Sequence, residues 1–259
     1  MKFSATFIIG FLLANVMAEM TIIEKHRCEQ YTSIFENDTT ELQYSYCENI
    51  FDGRGYTSGR AGFCTGCGDA LNVIIHYTAY KPNNPLAKFI PILKRLSIGN
   101  GNINQLNGYC EAWKQASNDY LFRQFQDYIN DLLYYVPAMN GAKRMNITTA
   151  LGKCSLYDTI IQHGGGNDND SFDAILNRTK IQMNGPVTGK NNEPKWIEKF
   201  LEIRKNVLLM PKNNAYRSSW SKTTDRVNFL LQLVRQNNWN MDQLPIRVKT
   251  RYHDQTIYS

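Results

Sequence analysis

No stretch of this sequence gathers Lys and Arg into a block, and its net charge of +6 is spread over 259 residues, so a nucleic-acid partner has no electrostatic footprint to read. Beyond residue 18 no segment is apolar enough to span a bilayer, which takes about 20 apolar residues in a row. Cys64 and Cys67 form a Cys-x-x-Cys pair, but no second such pair or His-x-x-x-His completes a tetrahedral site, so no metal is expected. The glycine triplet 164–166 follows a helical segment and lacks a Lys-Ser/Thr partner, which excludes a phosphate loop. Neither an internal repeat nor a compositional shift marks a second independent domain. Charged residues are sparse at 20%, while 12% aromatic and 42% apolar residues exclude disorder and collagen and fit a packed chain with exposed rings.

The first eighteen residues have a targeting pattern. Lys2 supplies the positive start, residues 5–14 are small or apolar apart from Thr6, and Val16-Met17-Ala18 offers short side chains to a signal peptidase. The apolar run is too short for a membrane anchor, so cleavage after Ala18 is expected. It would leave Glu19 to Ser259 as one soluble unit outside the cytosol, secreted or associated with a cell wall. The six cysteines, at 28, 47, 64, 67, 110 and 154, agree with an oxidising compartment; fifteen pairings are formally open. Asn37, Asn146, Asn169 and Asn177 head glycosylation sequons.

Hydrophobic periodicity predicts a mainly α fold. Ile22, Ile23, Arg27, Tyr31, Ile34 and Phe35 make one helical stripe, and Ala70, Leu71, Ile74, Tyr77 and Thr78 a second. Asn84-Pro85 is read as a cap opening a helix through Leu96, with further helices over 109–135, 147–163, 171–182, 195–209 and 223–237. Residues 44–68 carry six glycines and break the pattern; loop or short antiparallel strand is expected there, where backbone can approach a ligand closely. Trp113, Trp196, Trp220 and Trp239, and Tyr120, Tyr128, Tyr134 and Tyr135, are read as packing residues, and His163 as a hydrogen-bonded packing histidine.

Charge is uneven along the chain. Residues 19–75 hold nine acids against four bases, a net −5, while the rest of the expected mature chain carries +10. An acidic cleft in a basic protein suits a cationic ligand, although ordinary solvated faces would give the same count. Glu36 ends the first helical stripe at the stop Asn37-Asp38-Thr39-Thr40, and Asp52 opens the turn Asp52-Gly53-Arg54-Gly55-Tyr56. Two carboxylates on different elements can face one another, as glycosidic cleavage requires: one protonated to serve the leaving oxygen, one ionised to activate water. A helix C-terminus disfavours negative charge and would raise the pKa of Glu36, whereas Arg54 would favour ionised Asp52.

The run Ile34-Phe35-Glu36-Asn37, then Tyr46-Cys47-Glu48-Asn49-Ile50-Phe51-Asp52-Gly53-Arg54-Gly55-Tyr56-Thr57-Ser58-Gly59-Arg60-Ala61-Gly62-Phe63-Cys64, with Gly68-Asp69-Ala70-Leu71 and His76-Tyr77-Thr78, resembles the glycoside hydrolase family 46 chitosanases. The similarity extends more loosely through Asn84-Pro85-Leu86, Tyr157-Asp158-Thr159 and Phe200-Leu201-Glu202-Ile203-Arg204, nearly the whole of residues 19–259. The resemblance implies a two-lobed, lysozyme-like, mainly helical fold around a cleft, acting without a cofactor. It implies an endo-acting, inverting, monomeric hydrolase of chitosan, the deacetylated β-1,4-glucosamine polymer. By motif, Glu36 falls at the general acid, Asp52 at the general base, Thr57 at the residue holding the attacking water and Arg54 at the brace of the base. Asp69 falls at a glucosamine-amine site, Tyr46 and Glu48 at other cleft positions, and Asp158, Arg204 and Arg217 at a salt-bridge network behind the base.

The sequence departs from that pattern in three places. The connection from Glu36 to Asp52 is two residues shorter than in bacterial members, residues 211–225 are longer, and Cys47 and Cys67 fall inside the active-site motifs, where they are read as structural bridges. A glycan on Asn37 would obstruct the cleft, so that sequon is expected to stay unmodified. The alternatives are a peptidoglycan-cleaving relative, which would not need Asp69, and a non-catalytic chitosan- or wall-binding protein, which would not need both carboxylates, Thr57 and Arg54.

Overall fold

The first amphipathic stripe becomes helix α1 (Ile22–Asn37), opened by a capping box: Glu24 N donates to Thr21 Oγ1 at 3.2 Å and Thr21 N to Glu24 Oε2 at 2.7 Å, which satisfies two otherwise free amides. It stops at Asp38, whose left-handed backbone (φ 55°) lets its N–H close on Ile34 O, so Glu36 sits in the last turn. The computed structural model describes residues 19–189 and 192–259; the expected signal peptide, residues 1–18, lies outside them.

The glycine-rich segment folds as a three-stranded antiparallel meander of β1 (Cys47–Asn49), β2 (Tyr56–Ser58) and β3 (Phe63–Cys64). Thr57 is paired with Glu48 on one side and Cys64 on the other. Gly55 is required where it stands: its φ is +85°, and a Cβ there would lie 2.2 Å from Thr65 Oγ1.

Helices α2 (Asp69–Tyr80), α3 (Ile90–Leu96), α4 (Tyr109–Ala116) and α5 (Tyr120–Asn130) follow. Asn84 does cap, its Oδ1 accepting from Leu86 N at 2.8 Å, but the first turn is a 3₁₀ turn over Ala87–Phe89 before α3 begins. The single helix expected over 109–135 is divided, because Asp119 adopts extended backbone and starts α5 afresh by accepting from Leu121 N. Beyond it a π turn (Asp131–Tyr135) leads into α6 (Val136–Met145), which the periodicity did not anticipate; Val136 N reaches back five residues to Asp131 O, just before Pro137, which has no N–H to give. Then come α7 (Ala150–His163), α8 (Phe172–Gln182), α9 (Glu193–Leu209), the one-turn α10 (Arg217–Trp220) and α11 (Thr224–Arg235). A terminal hairpin of β4 (Ile246–Lys249) and β5 (Asp254–Ile257) was also not anticipated, since four residues alternating buried and exposed are too short to announce a strand.

Two apolar clusters define two lobes. One gathers α1, α6 to α9, α11 and the terminal hairpin around Tyr31, Trp196 and Phe200; the other gathers the meander and α2 to α5 around Phe63, Tyr77 and Trp113. The α5–π turn–α6 run passes from the second into the first. The cysteines pair as Cys28–Cys154, Cys47–Cys110 and Cys64–Cys67. The first bridge lies in the first lobe and the other two in the second, so each crosslinks one lobe internally.

Candidate active site

A cavity of about 670 Å³ opens where α1 meets the meander, within the usual size of ligand pockets. Its walls include Glu36 and Asn37 from α1, Tyr46 and Ile50 from the approach to the turn, Thr57 from β2, and Tyr134 from the π turn. The structure thus brings Glu36, Tyr46 and Thr57 to one space. Asp52 and Arg54 occupy the exposed turn between Ile50 and Thr57, both of which line that space. Glu48, exposed on β1, accepts from the Tyr46 hydroxyl at 3.2 Å.

Glu36 belongs to a long-range frame. Arg226 Nη1 lies 2.5 Å from Glu36 Oε1, and the same guanidinium grips buried Asp158 with Nε at 2.8 Å and Nη2 at 2.6 Å from Oδ1. Arg204 Nη1 holds the other Asp158 oxygen at 2.7 Å, and the Thr32 hydroxyl, one turn before Glu36 on α1, adds a bond of 3.1 Å. Burial works to raise the Asp158 carboxyl, but the two arginines outweigh it and hold it below the ordinary carboxylate value. Two expectations are corrected here. The third member of the network is Arg226; Arg217 is exposed at the start of α10, because the long segment 211–225 carries it to the surface. The network also stands behind Glu36, since its contact with the site is the Arg226–Glu36 pair. Arg226 had a signal in the sequence: it lies on the same helical stripe as Phe229, Leu230 and Leu233, where a solvated arginine does not belong.

Asp52 is held locally. Oδ2 accepts from Arg54 Nε at 2.7 Å and Oδ1 from Arg54 N at 3.0 Å. Burial pulls this carboxyl upward, but the Arg54 hydrogen bonds and charge prevail and keep it below the ordinary value, as the sequence suggested. Thr57 is buried, and its hydroxyl has no protein partner among the described residues. Asp69, at the first turn of α2, accepts at Oδ1 from both Cys64 N and Ala70 N at 2.8 Å; desolvation nevertheless pushes its carboxyl above the ordinary value. Because Cys64 is the β3 partner of Thr57, the meander sets Asp69 beside the Thr57 row.

The remaining residues divide simply. Trp113 and Trp196 are core residues, and His163 Nδ1 lies 2.9 Å from Asp170 O, with burial driving its pKa down to about 3, so it is a neutral packing group. Tyr134, read as packing, lines the cavity, as does His253 from the turn before β5. His253 Nδ1 is 2.9 Å from Asp38 Oδ1, the cap residue of α1. Nothing local in the sequence linked residue 253 to the end of α1.

Residues 30–246 match the model of Glycosyl hydrolase family 46. A chitosanase of Bacillus subtilis (strain 168) is 46% identical over 228 residues, covering 88% of this chain and 82% of that protein. Among solved structures, the native chitosanase of Bacillus subtilis MY002 superposes with a TM-score of 0.82 at 43% identity, covering 92% of this chain and 100% of that one. A chitosanase of the same family from Gynuella sunshinyii, in complex with chitotetraose, also has a TM-score of 0.82, at 40% identity over 93% of this chain and all of that one.

Proposed function

The chain belongs to glycosyl hydrolase family 46, and from that premise we propose that it is a secreted, endo-acting chitosanase that inverts the anomeric carbon, with Glu36 as general acid and Asp52 as general base. Relatives that cover most of the chain and bear that name support the substrate, as does the complex of one of them with chitotetraose. The targeting pattern of residues 1–18 and the three disulfides support secretion.

Protonated Glu36 gives its proton to the glycosidic oxygen as the bond from C1 to that oxygen breaks. A water on the opposite face of the ring loses a proton to Asp52 and adds to C1, so a β linkage yields an α product. Arg226 occupies Oε1 of Glu36, leaving Oε2 to carry the proton. The Thr57 hydroxyl, which lines the cavity and has no partner among the described residues, orients the water, and Arg54 keeps Asp52 ionised. Asp69, with both backbone bonds on Oδ1, offers Oδ2 to a glucosamine ammonium, a charge-assisted bond. The observation that carries this reading is that Glu36 and Thr57 line one cavity, with Asp52 in the turn that joins its lining residues Ile50 and Thr57.

The decisive experiment pairs Glu36→Gln and Asp52→Asn in a reducing-end assay on chitosan, with proton NMR of the first product formed by wild type from glucosamine hexamer. Loss of nearly all turnover in both variants with binding retained, and an α-anomeric first product, is expected. Turnover near wild type in either variant would remove that residue from its role, and a β-anomeric product would remove inversion. Binding by wild type without any cleavage would leave a carbohydrate-binding protein.

A further inference from the structure

The two lobes meet with no disulfide across their seam, yet a buried guanidinium crosses it. Arg60, in the turn after β2, has a side chain only 4% exposed. Its Nη2 lies 2.9 Å from Glu29 Oε1 on α1, and its Nη1 is paired with Asp127 Oδ1 on α5. Its backbone N–H donates to Gln126 Oε1 at 3.1 Å, and Tyr44 completes the ring by donating its hydroxyl to Asp127 Oδ1 at 2.8 Å and accepting at its carbonyl from Gln126 Nε2 at 3.0 Å. Burial disfavours the Arg60 charge, but Glu29 and Asp127 overcome that and lock the guanidinium in its ionised form. Lys25, whose main partner is Asp131 at 2.6 Å, lies 3.9 Å from Glu29.

The placement of these partners along the chain matters. Glu29 is seven residues before Glu36 on α1, two turns along the same helical face, and both line the cavity. Arg60 is three residues after Thr57 and eight after Asp52. The Arg60–Glu29 pair therefore joins the helix that carries the acid to the sheet that carries the water-holding residue and the turn of the base. One buried cation set between two carboxylates, in an ion pair with Glu29 and a hydrogen bond to Asp127, holds both close to it.

We infer that Arg60 is a positioning residue that sets the separation of Glu36 from Asp52 and Thr57 by clamping α1 to the meander through Glu29, with Asp127 as its anchor. The inference rests on the acid and base reading above. Its consequence is specific: loosening the clamp spoils the alignment of acid, water and base, and displacements of about 1 Å can cost roughly a hundredfold in rate. Substrate contacts along the rest of the cleft are untouched.

The test measures kcat and KM on glucosamine hexamer for Arg60→Gln, Arg60→Lys, Glu29→Gln and the double variant Glu29→Gln/Arg60→Gln, each with its Tm. A core variant of α7, Leu151→Ala, serves as a control for stability loss alone. The clamp requires kcat in Arg60→Gln to fall about tenfold or more with KM within about twofold, partial recovery in Arg60→Lys, and a double variant no worse than Arg60→Gln. Should Arg60→Gln not fold, Glu29→Gln carries the same kcat and KM comparison. A fall in Tm with kcat unchanged, or a fall in kcat no greater than in the core control, would overturn the clamp. If Glu36→Gln or Asp52→Asn keeps its turnover, the acid and base reading fails on its own, whatever Arg60 does; if both lose it while Arg60→Gln stays active, only the clamp fails.

Discussion

Glu36, which lines the cavity, and Asp52, in the turn between two of its lining residues, carry the same functional group, yet the molecule holds them by opposite means. Glu36 sits against Arg226, 190 positions away in the chain and itself fastened to Asp158, which is fully buried between two arginines. Asp52 sits in an exposed turn and takes its cation from Arg54, two residues on. The lesson concerns how each environment can be altered. The surroundings of Asp52 are a local device that a point change retunes, whereas those of Glu36 are part of the core of one lobe and fail together with it.

Breaking the buried frame should have the largest effect. Arg226→Met leaves Asp158 with Arg204 alone, and removing one partner of a buried ion pair costs about 3–5 kcal/mol, measurable by urea denaturation. The pH dependence should change with it. The Asp158 carboxyl in the native protein is held below the ordinary 3.8, so its contribution to stability is present above that value and lost as pH falls through the lower native pKa. Wild type should therefore lose stability below about pH 4, and Arg226→Met, with less depression of Asp158, should show a shallower loss there.

Asp69 stands between the two extremes, partly buried but bonded only to backbone of neighbouring residues. Asp69→Asn keeps the shape and removes the charge. KM for glucosamine hexamer should rise roughly ten- to hundredfold, the worth of about 1.5–3 kcal/mol for a hydrogen bond to a charged group, with kcat much less affected. An unchanged KM would take Asp69 out of amine recognition.

The local device should respond more gently. Because Arg54 is what outweighs burial and depresses the Asp52 carboxyl, Arg54→Gln should let it rise. The ionised base then appears at higher pH, so the acid-side limb of kcat/KM moves upward in a pH profile. A limb that stays in place would separate Arg54 from the base. The smallest expected effect is at Phe51, 89% exposed, with a left-handed φ of 57° next to Asp52. Phe51→Gly should gain up to about 1 kcal/mol by relieving that backbone, read as a small rise in denaturation midpoint.

Residues 109–145 mark the limit of what periodicity resolves. Apolar spacing identified helical character, but the break at Asp119 is a capping choice and the π turn before Pro137 a matter of which carbonyl Val136 can reach. The arginine network shows the same boundary in the site. Asp158 and Arg204 are legible through their motif surroundings, while the lengthened segment 211–225 points to Arg217 and hides that Arg226 is the arginine that returns to the core. Arg60 lies in the family-like run but had no role assigned to it, and Glu29 lies outside that run; what sets them apart is their pairing, visible only after α1 and the meander have met.

The sequence by itself determined what depends on near neighbours: the stop of α1 just after Glu36, the glycine-permitted turn that presents Asp52, and the Arg54 that keeps that carboxylate ionised. These follow from backbone sterics and contacts a few residues long. Tertiary structure alone decided which cation faces Glu36, that Cys28 meets Cys154 and Cys47 meets Cys110, and how the two lobes are held to one another, because each joins groups far apart in the chain. Burial then makes such pairs strong, since charges withdrawn from water must find one another.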